Sequence, residues 1–200
     1  MRDGVLGDLV KGQLCLFGGL TTCLVAMPDC LTVNCGMSDF GVHWRTIVPY
    51  AIGFLGAALF TRRALRAAAP DLRSPGFVRR AGDSFAVLLT GVLLTPYTLA
   101  EPVHWIHRLF GAGLFLHELI LAILLVTWAR ADAAGVVLVA VQVGSGVLSG
   151  IYVLSTEGHL VLGQAAFQLA FGVIAIRSLR LLRAGPKPGE PSAGQSFTVK

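Results

Sequence analysis

The stretch VHWIHRLFGAGLFLHELILAILLVTW, residues Val103–Trp128, decides the fold. It is too long for a buried strand, and a hydrocarbon core about 30 Å thick takes roughly 20 helical residues to cross. From Leu119 to Trp128 it carries no charged side chain. The stretch reads as a transmembrane helix. Five more apolar runs, each ended by charge or by Pro and Gly, lie at about Leu14–Leu31, Thr46–Thr61, Ser84–Ala100, Ala134–Leu154 and Leu160–Ile176. The expected fold is therefore all-α, a polytopic bundle of six transmembrane helices filling residues 1–183, with Arg45 and Arg62 snorkelling at the ends of the short second helix.

Composition agrees. The 200 residues are 54% hydrophobic and 14% charged, with mean hydropathy +0.72, which is unlike a soluble domain. Six crossings leave no room for a nucleotide-binding or protease domain. The segment 184–200, which includes Ala184-Gly185-Pro186-Lys187-Pro188-Gly189, has no apolar face to bury and is expected to be a disordered tail.

The net charge of +5 reads as topology. Placing 1–13, 62–83, 129–133 and 177–200 on one side collects 14 of the 16 Lys and Arg, leaving Arg45 and Arg108 opposite. By the positive-inside rule this predicts a multi-pass protein of the cell membrane with both termini cytoplasmic. A secretory leader cleaved after Leu24-Val25-Ala26 is the rival for the first helix, but Asp3 and Asp8 do not suit a basic leader. The Arg-rich loop 62–83 either sets topology or meets anionic head groups. Nucleic acid is not an expected partner.

Cys15 and Cys23 read as small packing residues within the first helix. Cys30 and Cys35, in the outward loop, are close enough in sequence to close a disulfide or can remain free thiols. Their spacing is neither a redox pair nor a zinc ligand set, so no metal is expected.

Glu118 stands out. It lies about fifteen residues into the helix, roughly 20 Å along its axis and close to mid-bilayer, where a carboxyl group must be protonated, paired or wet. At about 100° per residue, His104, His107, Gly111, Leu114 and Glu118 share one stripe, and His117 points away from it. Gln142, Ser145 and Ser149 on the fifth helix and Gln164 and Gln168 on the sixth reach similar depths. These groups either converge on a polar pocket open to the outer leaflet or act as interhelical glue. A bis-histidine haem would need His159 opposite His104 or His107, and no inner pair of histidines exists to complete a diheme pattern, so no cofactor is expected.

Met37-Ser38-Asp39-Phe40-Gly41 resembles the Ser-Asp-x-Gly element of the six-helix DRAM-type (autophagy modulator) superfamily and its bacterial relatives of unknown function. An outer-side histidine opening a Gly-containing helix (Ile106-His107-Arg108-Leu109-Phe110-Gly111-Ala112) and an acid, Glu157, before the last helix agree with it. The resemblance implies a compact bundle with cytoplasmic termini that influences membrane lipid organisation. Asp39 is expected to cap a helix or to accept hydrogen bonds from Arg45, Arg108 or His107, and Gly41 to supply a tight turn.

The leading expectation is a protein that binds a membrane lipid or lipophilic small molecule through His104, His107, Arg108, Asp39, Gln142, Gln168 and Glu157, with Glu118 deeper in the pocket. The alternative is an intramembrane enzyme acting on a polyprenyl-like substrate, with Glu118 as proton donor and His117 as relay. A transporter has less support, since no internal repeat or matching pair of broken helices is evident. The sequence does not specify an oligomeric state.

Overall fold

The computed structural model describes residues 3–129, 131–155 and 158–184. Six α-helices make up its framework: α1 (Asp3–Ala26), α2 (Ile47–Ala68), α3 (Pro75–Leu94), α4 (Glu101–Trp128), α5 (Ala133–Leu154) and α6 (Leu160–Ala184). Among the described residues there is no strand. Four segments of the described residues are long and apolar enough to cross a membrane: Gly4–Ala26, Glu101–Trp128, Ala133–Leu154 and Leu160–Arg183. Helices α2 and α3 are also long, but α2 includes Arg62, Arg63 and Arg66, and α3 includes Arg79, Arg80 and Asp83.

Several helix ends differ from the hydropathy reading. Helix α1 begins at Asp3 rather than Leu14, because Val5 and Leu9 continue the buried face of Leu16, Leu20 and Cys23 through the charged turn. It stops at Ala26, and Pro28 opens a separate single turn, Pro28–Leu31. Helix α2 runs past Thr61 to Ala68, since Ala64, Leu65 and Ala68 stay buried while the arginines turn outward. Helix α3 begins at Pro75, where a first-turn proline leaves no helical hydrogen bond unmade, and ends at Leu94 before Pro96. Helix α6 runs on past Ile176, with Ser178 and Leu179 buried. Hydropathy reports where apolar residues are dense, whereas a helix persists as long as one of its faces stays covered.

Helices α1, α2, α3 and α4 each pack on the next in the chain, and α6 packs against α1, α4 and α5. Helix α5 rests mainly on α6 and touches α4 lightly, which leaves a cleft between α4 and α5. The α1–α2 contact is the tightest. A Cβ added at Gly19 would lie 2.6 Å from the Pro49 carbonyl oxygen, and one at Gly53 would lie 3.0 Å from that of Cys15. Without side chains at these positions the two backbones approach closely, which in a lipid environment is a main source of helix association.

Ionic contacts gather at the end of the bundle where the α2–α3 and α4–α5 links lie. Arg62 Nε and Arg66 Nη2 each donate to Asp83 at 2.7 Å, tying α2 to α3. Arg63 lies 3.7 Å from Asp8 of α1. Asp132 caps α5 by accepting from Gly135 N at 2.9 Å and also accepts from Arg177 of α6. Those contacts hold the Asp132 carboxyl below the usual carboxylate range, Arg177 first and the Gly135 amide second. Three of the loop's six arginines thus pair with carboxylates, and such exposed pairs are each weak.

Gly53→Leu should force α1 and α2 apart and lower the unfolding midpoint in detergent, at a cost of about 1–3 kcal/mol from overpacking. Thermal denaturation followed by circular dichroism checks this, and an unchanged midpoint would show that the close approach is dispensable.

Candidate functional site

The α1–α2 loop folds over the ends of α5 and α6. Asn34 Nδ2 donates to the carbonyls of Tyr152 and Ser155 at 2.7 and 2.8 Å, satisfying acceptors that the C-terminus of α5 leaves open. The Cys35 carbonyl accepts from Val161 N at 2.8 Å, and Met37 N donates to Gln164 Oε1 at 2.7 Å. Cys30 and Cys35 are joined by a disulfide, with Cα atoms 5.0 Å apart. The second single turn of this loop, Met37–Gly41, holds the Ser-Asp-x-Gly element.

Each residue of that element has a visible task. Asp39 Oδ2 accepts from Gly36 N at 2.6 Å, and its Oδ1 accepts from the Tyr97 hydroxyl. Ser38 Oγ and His107 Nε2 share a hydrogen bond at 2.8 Å, and His107 Nδ1 lies 3.4 Å from Thr95 Oγ1. The carboxylate therefore closes its own short turn, and its other partner is Tyr97 rather than Arg45, Arg108 or His107. Burial, and then the Asp39 contact, hold the Tyr97 phenol well above its ordinary range. Gly41 is required for space and not for a left-handed turn: a Cβ there would lie 2.9 Å from the Tyr50 ring.

Beneath this latch lies a cavity of about 880 Å³ between α4, α5 and α6. Its polar end is formed by Ser38, Asp39, Tyr97, His104, His107 and Arg108. Farther along it is apolar, lined by Phe115, Leu116 and Leu119 of α4, Val143 and Val147 of α5 and Phe167 of α6. Leu116 and Val147 are 60% and 58% exposed, so the cavity opens sideways between α4 and α5. Phe115 stacks on Phe167 with ring centroids 4.2 Å apart. Gly111 faces open space, with nothing within 4 Å of a Cβ built there.

Of the residues singled out by sequence, His104, His107, Arg108 and Asp39 meet in this one site. Gln142, Gln168 and Glu118 do not line it. Glu118 is 0% exposed, and its Oε2 accepts from Gln168 Nε2 at 2.8 Å across the α4–α6 contact. The stripe itself holds, since at about 100° per residue Glu118 falls between His107 and Gly111; it is the cavity wall that turns around α4 with depth, to Ala112, Leu116 and Leu119, and leaves Glu118 facing α6. Gln142 is also fully buried, and neither its amide oxygen nor its nitrogen has a protein partner; Glu118 Oε1 is likewise unpartnered. His117 lies against Phe85, centroid to ring 6.5 Å, with Nδ1 unpartnered. Glu157 and residues 185–200 fall outside the described residues.

Tyr97 and Ser38 belong to the site and were not singled out for it by sequence, whereas Gln164, read as one of the groups at pocket depth, is part of the lining. Ser38 was within reach, sitting inside the quoted motif. Tyr97 is brought to Asp39 only by the turn at Thr95-Pro96, a pairing that spacing does not encode.

Among the described residues no group of three or more His, Cys, Asp or Glu side chains is placed to hold a metal ion. His159 Nδ1 lies 3.1 Å from the Leu31 carbonyl oxygen rather than opposite His104 or His107. Comparison with family models, curated proteins and solved structures finds no match to the chain.

Replacing Glu118 separates pairing from chemistry. Glu118→Gln keeps an acceptor for Gln168 and should leave detergent stability unchanged. Glu118→Leu should cost about 1 kcal/mol, the scale of interhelical polar pairs within membranes. Unfolding midpoints check both, and a large loss in Glu118→Gln would mean that the carboxyl group does more than pair with Gln168.

Proposed function

We propose that this chain is a six-crossing membrane protein with cytoplasmic termini that holds a membrane lipid or other lipophilic molecule in the α4–α5–α6 cavity, entered from the outer leaflet. The observation that carries the proposal is the cavity's polarity: hydrogen-bonding and cationic groups at one end, aliphatic and aromatic side chains along the rest, and a side opening where a bilayer would lie. A water-soluble ligand gains little from such a lining, whereas an amphiphile matches it end for end.

Helices α2 and α3, with 22 and 20 residues, are about 33 and 30 Å long at 1.5 Å per residue and match the hydrocarbon thickness. Their charges cluster toward one end, where Arg62 and Arg66 neutralise Asp83. The Lys and Arg bias supports a cytoplasmic location for that end. The Cys30–Cys35 disulfide supports an oxidising side for the opposite loop, an independent argument for the same orientation. Trp44 and Trp105, both exposed, suit an interface there, where aromatic side chains collect. Kinship with the DRAM-type superfamily is part of the proposal, since Ser38, Asp39 and Gly41 each have a task in the latch that closes the cavity's polar end.

Acid catalysis at Glu118 receives less support. A substrate protonated there would have to reach a side chain that is fully buried and paired with Gln168, outside the cavity lining.

Gly111→Leu adds a side chain at a position with nothing within 4 Å of its Cβ and improves helix propensity, so the variant should fold and retain less co-purified lipid. Native mass spectrometry of mildly extracted protein reads the retained mass, and equal retention in variant and parent would sink the cavity as the binding site. For orientation, Ser74→Cys in a Cys15→Ala, Cys23→Ala background should react with an impermeant maleimide only after the cells are opened. Leu99→Cys in the same background should react in intact cells, and the reverse pattern would invert the topology.

A further inference from the structure

Resting on the lipid-binding reading above, we infer that the occupant is an anionic phospholipid, its phosphate held by Arg108 and His104 and one acyl chain laid along the cleft between α4 and α5. The argument begins with charge. Arg62 and Arg66 pair with Asp83, Arg63 with Asp8 and Arg177 with Asp132, but Arg108 has no carboxylate partner among the described residues. Its guanidinium lies over the Trp105 ring, 5.3 Å from the centroid, at the polar end of the cavity. Stacking of this kind fixes the plane of the fork while leaving its N–H donors open, and a guanidinium fork fits two phosphate oxygens at once.

The acid in the lining does not cancel this cation. Both oxygens of Asp39 are engaged, one by the Gly36 amide and the other by the Tyr97 hydroxyl. Glu101, at the exposed start of α4, is not part of the lining. His107 is held by Ser38 and Thr95. His104 meets Tyr97 and Trp105 through edge-on ring contacts alone, 6.1 and 6.4 Å between centroids, so its ring nitrogens remain available beside Arg108. One turn of α4 thus presents a cation and an imidazole to the same opening.

Dimensions match a single chain below that head. From His104 to Leu119 the cavity face of α4 runs about 22 Å at 1.5 Å per residue, more than half of a hydrocarbon core about 30 Å thick. A phosphate at the outer interface would therefore send its chain toward the bilayer centre, past the stacked Phe115 and Phe167 rings. A volume of about 880 Å³ is that of a site for one small molecule. It takes a head group and one chain, and the second chain of a phospholipid leaves through the side opening at Leu116 and Val147.

The test uses full-length purified protein, freed of native lipid and titrated with palmitoyl-oleoyl phosphatidylglycerol or phosphatidylcholine under native mass spectrometry. The parent should retain phosphatidylglycerol about tenfold better, the scale of one charge-assisted contact. Arg108→Gln should abolish that preference, with phosphatidylglycerol retention falling about tenfold and phosphatidylcholine retention falling less, since its phosphate loses the same contact but its choline cation no longer faces an arginine. Arg45→Gln, which removes another outer arginine stacked on a tryptophan, should keep the preference. Equal retention of the two lipids by the parent, or a preference that survives Arg108→Gln, would overturn the head-group assignment while leaving lipid binding intact. Loss of the preference in Arg45→Gln would also overturn it, by reducing the effect to general surface charge. If Gly111→Leu retains both lipids as well as the parent does, the cavity reading itself fails and this assignment falls with it.

Discussion

A helix that enters a bilayer must leave no backbone polar group open in hydrocarbon, and the ends of α5 and α6 meet that requirement through a loop far away in the chain. Asn34 supplies donors for the last carbonyls of α5, and the Cys35 carbonyl receives the Val161 amide at the start of α6. Helix α5 has few buried side chains of its own and rests mainly on α6. The α1–α2 loop therefore holds the α5–α6 hairpin at the end away from the Asp132–Arg177 contact, and the disulfide and the Asp39 turn stiffen that loop.

From this clamp the cavity follows. Because α5 is held at its ends and along α6, it does not need to close against α4, and a cleft persists between them. The same loop supplies Ser38 and Asp39, so the element that organises the helix ends also furnishes the polar wall of the site. Tyr97 and His107 complete that wall from the α3–α4 turn and the start of α4. Rigid latch and apolar cleft are then two consequences of one loop's hydrogen bonds.

The buried polar residues below the cavity form a separate layer. Glu118 and Gln168 join α4 to α6, and Gln142 lies in the interior of α5 with its amide unpaired. Interhelical pairs of this kind contribute modestly to stability, because the separated helices find other partners in the membrane. Their weight lies in register: a one-turn slip of α4 along α6 would leave the carboxyl group in hydrocarbon without its donor.

Much of the helical framework was legible in the sequence because apolar density in a bilayer protein reports membrane depth directly. Val103–Trp128, Ala134–Leu154 and the start of α6 at Leu160 emerge nearly where hydropathy puts them. The ends of α1, α2 and α3 do not, since Val5, Leu9, Ala64, Leu65 and Val78 stay covered within stretches whose charged neighbours mask them. His104 and His107 were legible as one face of one helix, a matter of angle alone, and Arg108 as the residue next to them in the chain. Which residues meet them was decided by tertiary structure: Asp39 turned to Tyr97 rather than to an arginine, and Glu118 turned to Gln168 rather than to the cavity. Helical periodicity fixes the direction of a side chain relative to its own axis. Only the packing of the neighbouring helices decides what waits in that direction.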